Sequence, residues 1–237
     1  TSGIGRAVAL ALAHAGADVI VHGRTSRDQA EAVAALVRAR GGRSAVLLAD
    51  LADRAAGDRL VADAWSVWDG LDAWLHIAGA DTLTGAAAKL PFDAKLDLLL
   101  SVDVAATIRL CRAVGRLMAD QGSGAIVTMG WDQAETGMEG DSGELFAASK
   151  GAVMSFTRSL ALSLAPAVRV NALAPGWIKT AWGEGASRIW QDRVLKETPL
   201  ARWGTAEDVA QVARFLVSPA AGFLTGQVIR INGGSVR

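Results

Sequence analysis

The residues that could do chemistry start with the stretch E-L-F-A-A-S-K, Glu144 to Lys150. Phe146 stands four residues ahead of Lys150, which puts both on one face of a helix, a turn apart. Lys150 supplies an ammonium group. Phe146 supplies a ring without an exchangeable proton, and the chain contains no tyrosine. Other groups that could enter a cleft with a proton are Asp103, Asp132, Gln133, Ser142 and Glu144. Of these, Asp103 could pair with Lys150. A carboxylate would act as an acid near neutral pH only if its surroundings raised its pKa. The ordinary alternative for each is a solvated loop charge.

A second chemistry lies at the start of the chain, T-S-G-I-G-R-A, where Ser2, Gly3, Ile4 and Gly5 form a glycine turn leading into a helix. Backbone N–H groups and the helix dipole there can approach a pyrophosphate, and a side chain at Gly3 or Gly5 would obstruct it. Further on, V-I-V-H-G-R-T-S-R places Gly23 and Arg24 at the carboxyl end of a strand. A diol-binding Asp or Glu at that place would mark NAD. Arg24 with Thr25 or Ser26 instead suits a 2′-phosphate, which favours NADP(H) over NAD(H). A solvated surface charge is the plainer reading of Arg24.

These groups need a frame. Short apolar or β-branched runs at 19–22, 44–49, 73–77, 125–129, 168–173 and 227–231 alternate with helical patterns near 4–15, 26–40, 53–68, 93–120, 144–165 and 205–217. The alternation predicts an α/β fold with a doubly wound parallel sheet, a Rossmann fold. With 237 residues, 51% of them hydrophobic, and no long linker, the chain reads as a single domain over 1–237. No strand precedes the glycine turn, although such a unit needs one, so upstream residues carrying the first strand are expected.

Composition excludes several classes. Lys+Arg 24 balance Asp+Glu 24, so the basic footprint of a nucleic-acid or anionic-membrane partner is missing. A single cysteine, Cys111, forms no internal disulfide and suits a reducing, cytoplasmic setting. The apolar opening V-A-L-A-L-A-H-A-G-A could be taken for a signal-peptide core, but it also fits a helix face followed by a turn and a strand. No apolar run is long enough to span a bilayer. No metal site is expected, since His76 lacks a cluster of further ligands.

Three long stretches carry a resemblance: V-R-V-N-A-L-A-P-G-W-I-K-T (168–180), T-P-L-A-R-W-G-T-A-E-D-V-A (198–210) and L-T-G-Q-V-I-R-I-N-G-G (224–234). With the glycine turn and the β-α order, the chain resembles a short-chain dehydrogenase/reductase over essentially its full length. The resemblance implies that Asp50 and Leu51 flank the adenine, although Asp50 also reads as a helix N-cap. It implies that Ala78 and Gly79 end the strand-four motif. That motif reads His76-Ile77-Ala78-Gly79 where the family has Asn-Asn-Ala-Gly, and His76 reads as a core histidine. Pro175, Gly176, Ile178 and Thr180 would belong to the segment that holds the nicotinamide.

In this family a tyrosine protonates the substrate oxygen, and a lysine one turn later lowers its pKa and holds the nicotinamide ribose. Lys150 is kept. The tyrosine position is Phe146, the substrate-orienting serine position is Trp131 and the helix asparagine is Asp103. General acid–base catalysis is worth about 10²–10⁴-fold. The expectation is therefore an NADP(H)-binding protein impaired in carbonyl reduction, serving as sensor, scaffold or partner of an active relative. The alternative is an active NADPH-dependent carbonyl or 3-oxoacyl-type reductase using substitute acid–base groups. Of the eight tryptophans, Trp131, Trp177, Trp182 and Trp190 fall by this resemblance around the cleft, as the wall or the plug of a pocket for an aromatic or apolar small molecule. Trp65, Trp68 and Trp74 read as core. The helices near 95–120 and 147–165, which form a two-fold interface in the family, imply a homo-oligomer, a dimer or tetramer.

Overall fold

The computed structural model describes residues 1–235. The chain runs α1 (Gly3–His14), β1 (Val19–Gly23), α2 (Arg27–Arg38), β2 (Ser44–Leu48), α3 (Arg54–Val67), β3 (Ala73–His76), α4 (Phe92–Leu99), α5 (Ala106–Gln121), β4 (Gly124–Met129), α6 (Asp141–Leu164), β5 (Val168–Pro175), α7 (Ala181–Gly185), α8 (Arg188–Glu197), α9 (Ala206–Val217) and β6 (Val228–Ile231). The six strands expected from sequence are present to within two residues at each end.

All strand pairings are parallel. β1 pairs with β2, and β3, β4, β5 and β6 follow one another in a second ladder. Its register sets Leu75 beside Val127, Val127 beside Asn171 and Leu173 beside Ile229. The parallel ladders agree with the expected α/β fold. Among the described residues β1 and β3 share no ladder. β5 is buried from end to end except at Arg169, as a strand covered on both faces must be.

Helices cover both faces. On one, Ala7 and Val8 of α1 and Val209, Ala210 and Ala213 of α9 share a core with Val127 and Leu173. On the other, Leu60 of α3, Leu110 and Met118 of α5 and Leu160 of α6 pack on Ile126 and Val170. α2 closes β1 and β2 through Val33 and Val37. Cap residues fix where helices start. Asp53 accepts from the N–H groups of Ala55 and Ala56 at α3, and Thr205 and Asp208 form a reciprocal capping box at α9. Asp50, one of the two readings of which was a helix cap, instead accepts from Ala52 N in the turn before Asp53.

The long helical pattern near 93–120 is interrupted. Between α4 and α5 the turn over Leu100–Ala105 widens to a π-helix, which carries Asp103. Such widened turns recur where a side chain must be re-aimed. α6 starts at Asp141, three residues before the expected start, because Gly143 lies tight against the preceding loop: a Cβ there would meet Met138 O at 2.3 Å. Gly143→Ala is therefore expected to destabilise the protein by about 1–3 kcal/mol despite alanine's helix propensity. Chemical denaturation of the two proteins checks this.

Candidate functional site

The glycine turn and the strand ends meet at one edge. Gly3 has φ +47°, a conformation that suits glycine. A Cβ there would lie 3.7 Å from Thr180 Cγ2, and one on Gly5 would lie 3.9 Å from Ile77 Cγ2. Ser2 precedes α1 without a side-chain cap bond and no acidic residue occupies the first turn, so the N-terminal N–H groups of α1 and its dipole are available to an anion. Gly23 is buried beside Thr1, with its ideal Cβ position 3.2 Å from Thr1 Cγ2, which brings the end of β1 to the turn. Arg24 and Thr25 follow there, both exposed, while Ser26 caps α2. Asp50 is exposed and Leu51 buried just beyond β2. These residues fit a dinucleotide along the edge: an uncapped helix N-terminus for a pyrophosphate and an exposed guanidinium at one end.

Lys150 reaches this edge from α6. It is only 9% exposed, and its Nζ lies 2.7 Å from Asp103 Oδ2. Asp103, 2% exposed, also accepts from Ala80 N at 2.7 Å. Gly79 permits the approach, since a Cβ there would stand 2.9 Å from Asp103 Oδ2. The carboxylate thus ties α6 to the widened turn and to the loop after β3. Next to it His76 is buried with no partner for Nε2 among the described residues, and burial with Lys150 nearby pushes its pKa down to about 3. His76 is a neutral core histidine, as the sequence suggested.

Trp131 and Phe146 are the two positions at which the resemblance implies hydroxyls. Their ring centroids are 6.3 Å apart in an edge-to-face arrangement. Gly130 lets the end of β4 press on α6, because a Cβ there would fall 2.6 Å from Met154 Cγ. Neither ring carries a proton that could be transferred to a carbonyl oxygen. Ser149, a turn from Phe146, donates to Leu145 O within its own helix. Glu144 is exposed.

Asp132 meets the requirement for a substitute acid in part. It is 4% exposed, and burial raises its pKa to about 6, against the smaller opposing effect of the bond from Asn232. Asn232 Nδ2 donates to Oδ2 at 3.2 Å, while Oδ1 is buried without a partner among the described residues. The same Oδ2 abuts Gly176, where a Cβ would lie 2.9 Å away. Asn232, a hundred residues on in sequence, carried no signal of this contact. No group of three or more His, Cys, Asp and Glu among the described residues could hold a metal.

The tryptophans divide differently from expectation. Trp177, Trp182 and Trp190 cluster, with centroids 5.5–6.1 Å apart, but the fourth member is Trp203, not Trp131. Gly183 of α7 lies flat against Trp203. The indoles pack on one another and on Arg193, whose guanidinium stacks over Trp190 at 4.8 Å. Arg193 also bonds Glu197 and Glu139, joining α8 to the loop before α6. α7 and α8, absent from the sequence reading, form this cover. Trp65 and Trp74 pack on the core as expected, whereas Trp68 lies under Arg43.

A family model described as enoyl-(acyl carrier protein) reductase matches residues 1–235. A 3-oxoacyl-[acyl-carrier-protein] reductase from Synechocystis is 36% identical over 99% of this chain and 93% of its own length. The chain belongs to the short-chain dehydrogenase/reductase family. The short-chain reductase protein NovJ from Streptomyces niveus is also 36% identical, over 98% of this chain and 89% of its own. A 7α-hydroxysteroid dehydrogenase solved with NADH and 7-oxo glycochenodeoxycholic acid superposes with a TM-score of 0.89 at 29% identity, covering 99% of this chain and 91% of that one. The short-chain dehydrogenase/reductase family binds a nicotinamide dinucleotide.

The raised pKa of Asp132 has a consequence for stability. Its ordinary value is 3.8 and its folded value about 6, so the folded protein holds this proton more tightly than the unfolded chain. Stability from this group is full below about pH 4, falls as pH rises towards 6, and stays low above it. Asp132→Asn does not ionise, and is expected to be more stable than wild type by about 1–3 kcal/mol at pH 8 and equal to it near pH 4. Urea denaturation at both pH values measures the difference.

Proposed function

We propose that this chain binds NADP(H) in preference to NAD(H) and is an oxidoreductase acting on a carbonyl substrate of the 3-oxoacyl type, with the proton supplied by a group other than residue 146. The observation that supports it best is the convergence of Gly3, Thr180 and the Asp103-held Lys150 at one sheet edge. The bound dinucleotide would supply or accept hydride. Ser2, Gly3, Ile4 and Gly5 would receive its pyrophosphate at the α1 N-terminus. Arg24 and Thr25 would read the 2′-phosphate, Asp50 and Leu51 the adenine, and Ala78 and Gly79 would line the strand end. Pro175, Gly176, Ile178 and Thr180 would hold the nicotinamide, and Lys150 its ribose. The substrate class follows the relatives named 3-oxoacyl reductases. The four-indole cover would exclude water from an apolar substrate.

A second reading is favoured by the edge-to-face rings of Trp131 and Phe146, which leave no hydroxyl where the family uses two. In it the chain binds the cofactor without turnover, as sensor, scaffold or partner of an active relative. Both readings include a cytoplasmic setting and a homo-oligomer. Leu100 at the start of the widened turn and Leu162 of α6 are 44% and 84% exposed, as an interface between copies would require. Light scattering is expected to give a dimer or tetramer, and a monomer at all concentrations would contradict it.

NADPH oxidation against a panel of 3-oxoacyl thioesters and small ketones separates the readings. The proposal expects turnover in wild type. It also expects that Phe146→Tyr with Trp131→Ser gains more than the sum of the single changes, since the two groups act as a unit. Tight cofactor binding with no turnover would establish the second reading. Arg24→Ala is expected to weaken NADPH by roughly tenfold, the loss of a charge-assisted pair, and NADH much less. Calorimetric titration of both cofactors measures this, and equal losses would remove Arg24 from the role.

A further inference from the structure

In this chain the lysine at the cleft is not a lone cation. Lys150 Nζ sits 2.7 Å from Asp103 Oδ2, and both side chains are nearly closed to water. In the family pattern an asparagine holds the place of Asp103, so there the lysine's charge stands uncompensated. The histidines His76 and His22 add no positive charge at pH 8. His76 is neutral, with its pKa near 3, and burial also lowers that of His22. Asp132, against Gly176, is a second buried carboxyl, ionised well above its pKa of about 6.

We propose that the Asp103 carboxylate sets the redox-state preference of the dinucleotide site: by cancelling the Lys150 charge it favours the oxidised, cationic nicotinamide over the reduced, neutral one. The inference rests on the reading that the dinucleotide binds with its nicotinamide beside Lys150. The physical reason is direct. Oxidised and reduced cofactors share every phosphate, ribose and adenine contact and differ by one positive charge on the ring. A single ammonium nearby repels only the oxidised form; an ion pair leaves it nearly unopposed. In a protein interior a unit charge acts over several ångströms with little screening, so the asparagine-to-aspartate exchange changes the ratio of the two affinities while leaving their shared contacts alone.

The test is the ratio of dissociation constants, Kd(NADP⁺)/Kd(NADPH), measured by calorimetry at pH 8, where Asp132 is ionised in every variant. Asp103→Asn is expected to raise the ratio by at least about fivefold, as removal of one nearby charge should. Asp103→Glu keeps the charge and is expected to hold the ratio within about twofold of wild type. This rescue separates charge from shape, because a packing role would move both affinities together. Lys150→Met is expected to lower the ratio, and reports the same effect with opposite sign should Asp103→Asn fail to fold. A ratio unmoved by Asp103→Asn, or moved equally by Asp103→Glu, overturns the inference while leaving the cofactor reading intact. Failure of wild type to bind either cofactor overturns both.

Discussion

The Lys150–Asp103 ion pair is the constraint on which the rest of the site depends. It joins α6, the widened turn ahead of α5 and the loop after β3, three segments that are distant in sequence and meet only at the sheet's carboxyl edge. Removing two charges from water costs several kcal/mol, and a buried pair recovers this only when its remaining hydrogen bonds are made. Here Ala80 N supplies one of them, Gly79 gives the room, and the π-helical turn aims Asp103 inward. Breaking one partner alone would leave the other stranded, at about 3–5 kcal/mol. The geometry of the cleft is thus coupled to the stability of the fold.

Around this anchor the side chains are largely aromatic. Where hydroxyls are expected, Trp131 and Phe146 present ring edges and faces, and a self-packed group of four indoles covers the neighbouring segment. Arg193 holds that cover from two sides through Glu139 and Glu197. Burial strengthens the electrostatic contact between Lys150 and Asp103. Burial acts on Asp132 as well, raising its pKa to about 6.

Much of this was legible in the sequence, for identifiable reasons. The strands were visible because buried parallel strands are continuous apolar runs, and β5 is buried almost throughout. The four-residue spacing in E-L-F-A-A-S-K put Phe146 and Lys150 a helical turn apart, and the structure buries Lys150 along with Leu145, Ser149, Val153, Thr157 and Leu160. Asp103 could be read as one of several acidic groups able to pair with Lys150, with no local signal to single it out. Other features left no local trace. α8 buries only Val194, so it has no apolar periodicity to read. Trp203 joins the other indoles, and Asn232 meets Asp132, through tertiary packing alone. The widened turn lies in the run L-S-V-D-V-A, which contains neither proline nor glycine to mark it.

The account centres on a dinucleotide seated at the α1 N-terminus, and tryptophan fluorescence during NADPH titration tests it most directly. The account predicts a saturable change with one equivalent per chain. It also predicts that Gly3→Val, which puts a β-branched residue at φ +47°, abolishes that change without unfolding the sheet. A wild-type protein that shows no saturable response, or a Gly3→Val variant that binds as tightly, would contradict it.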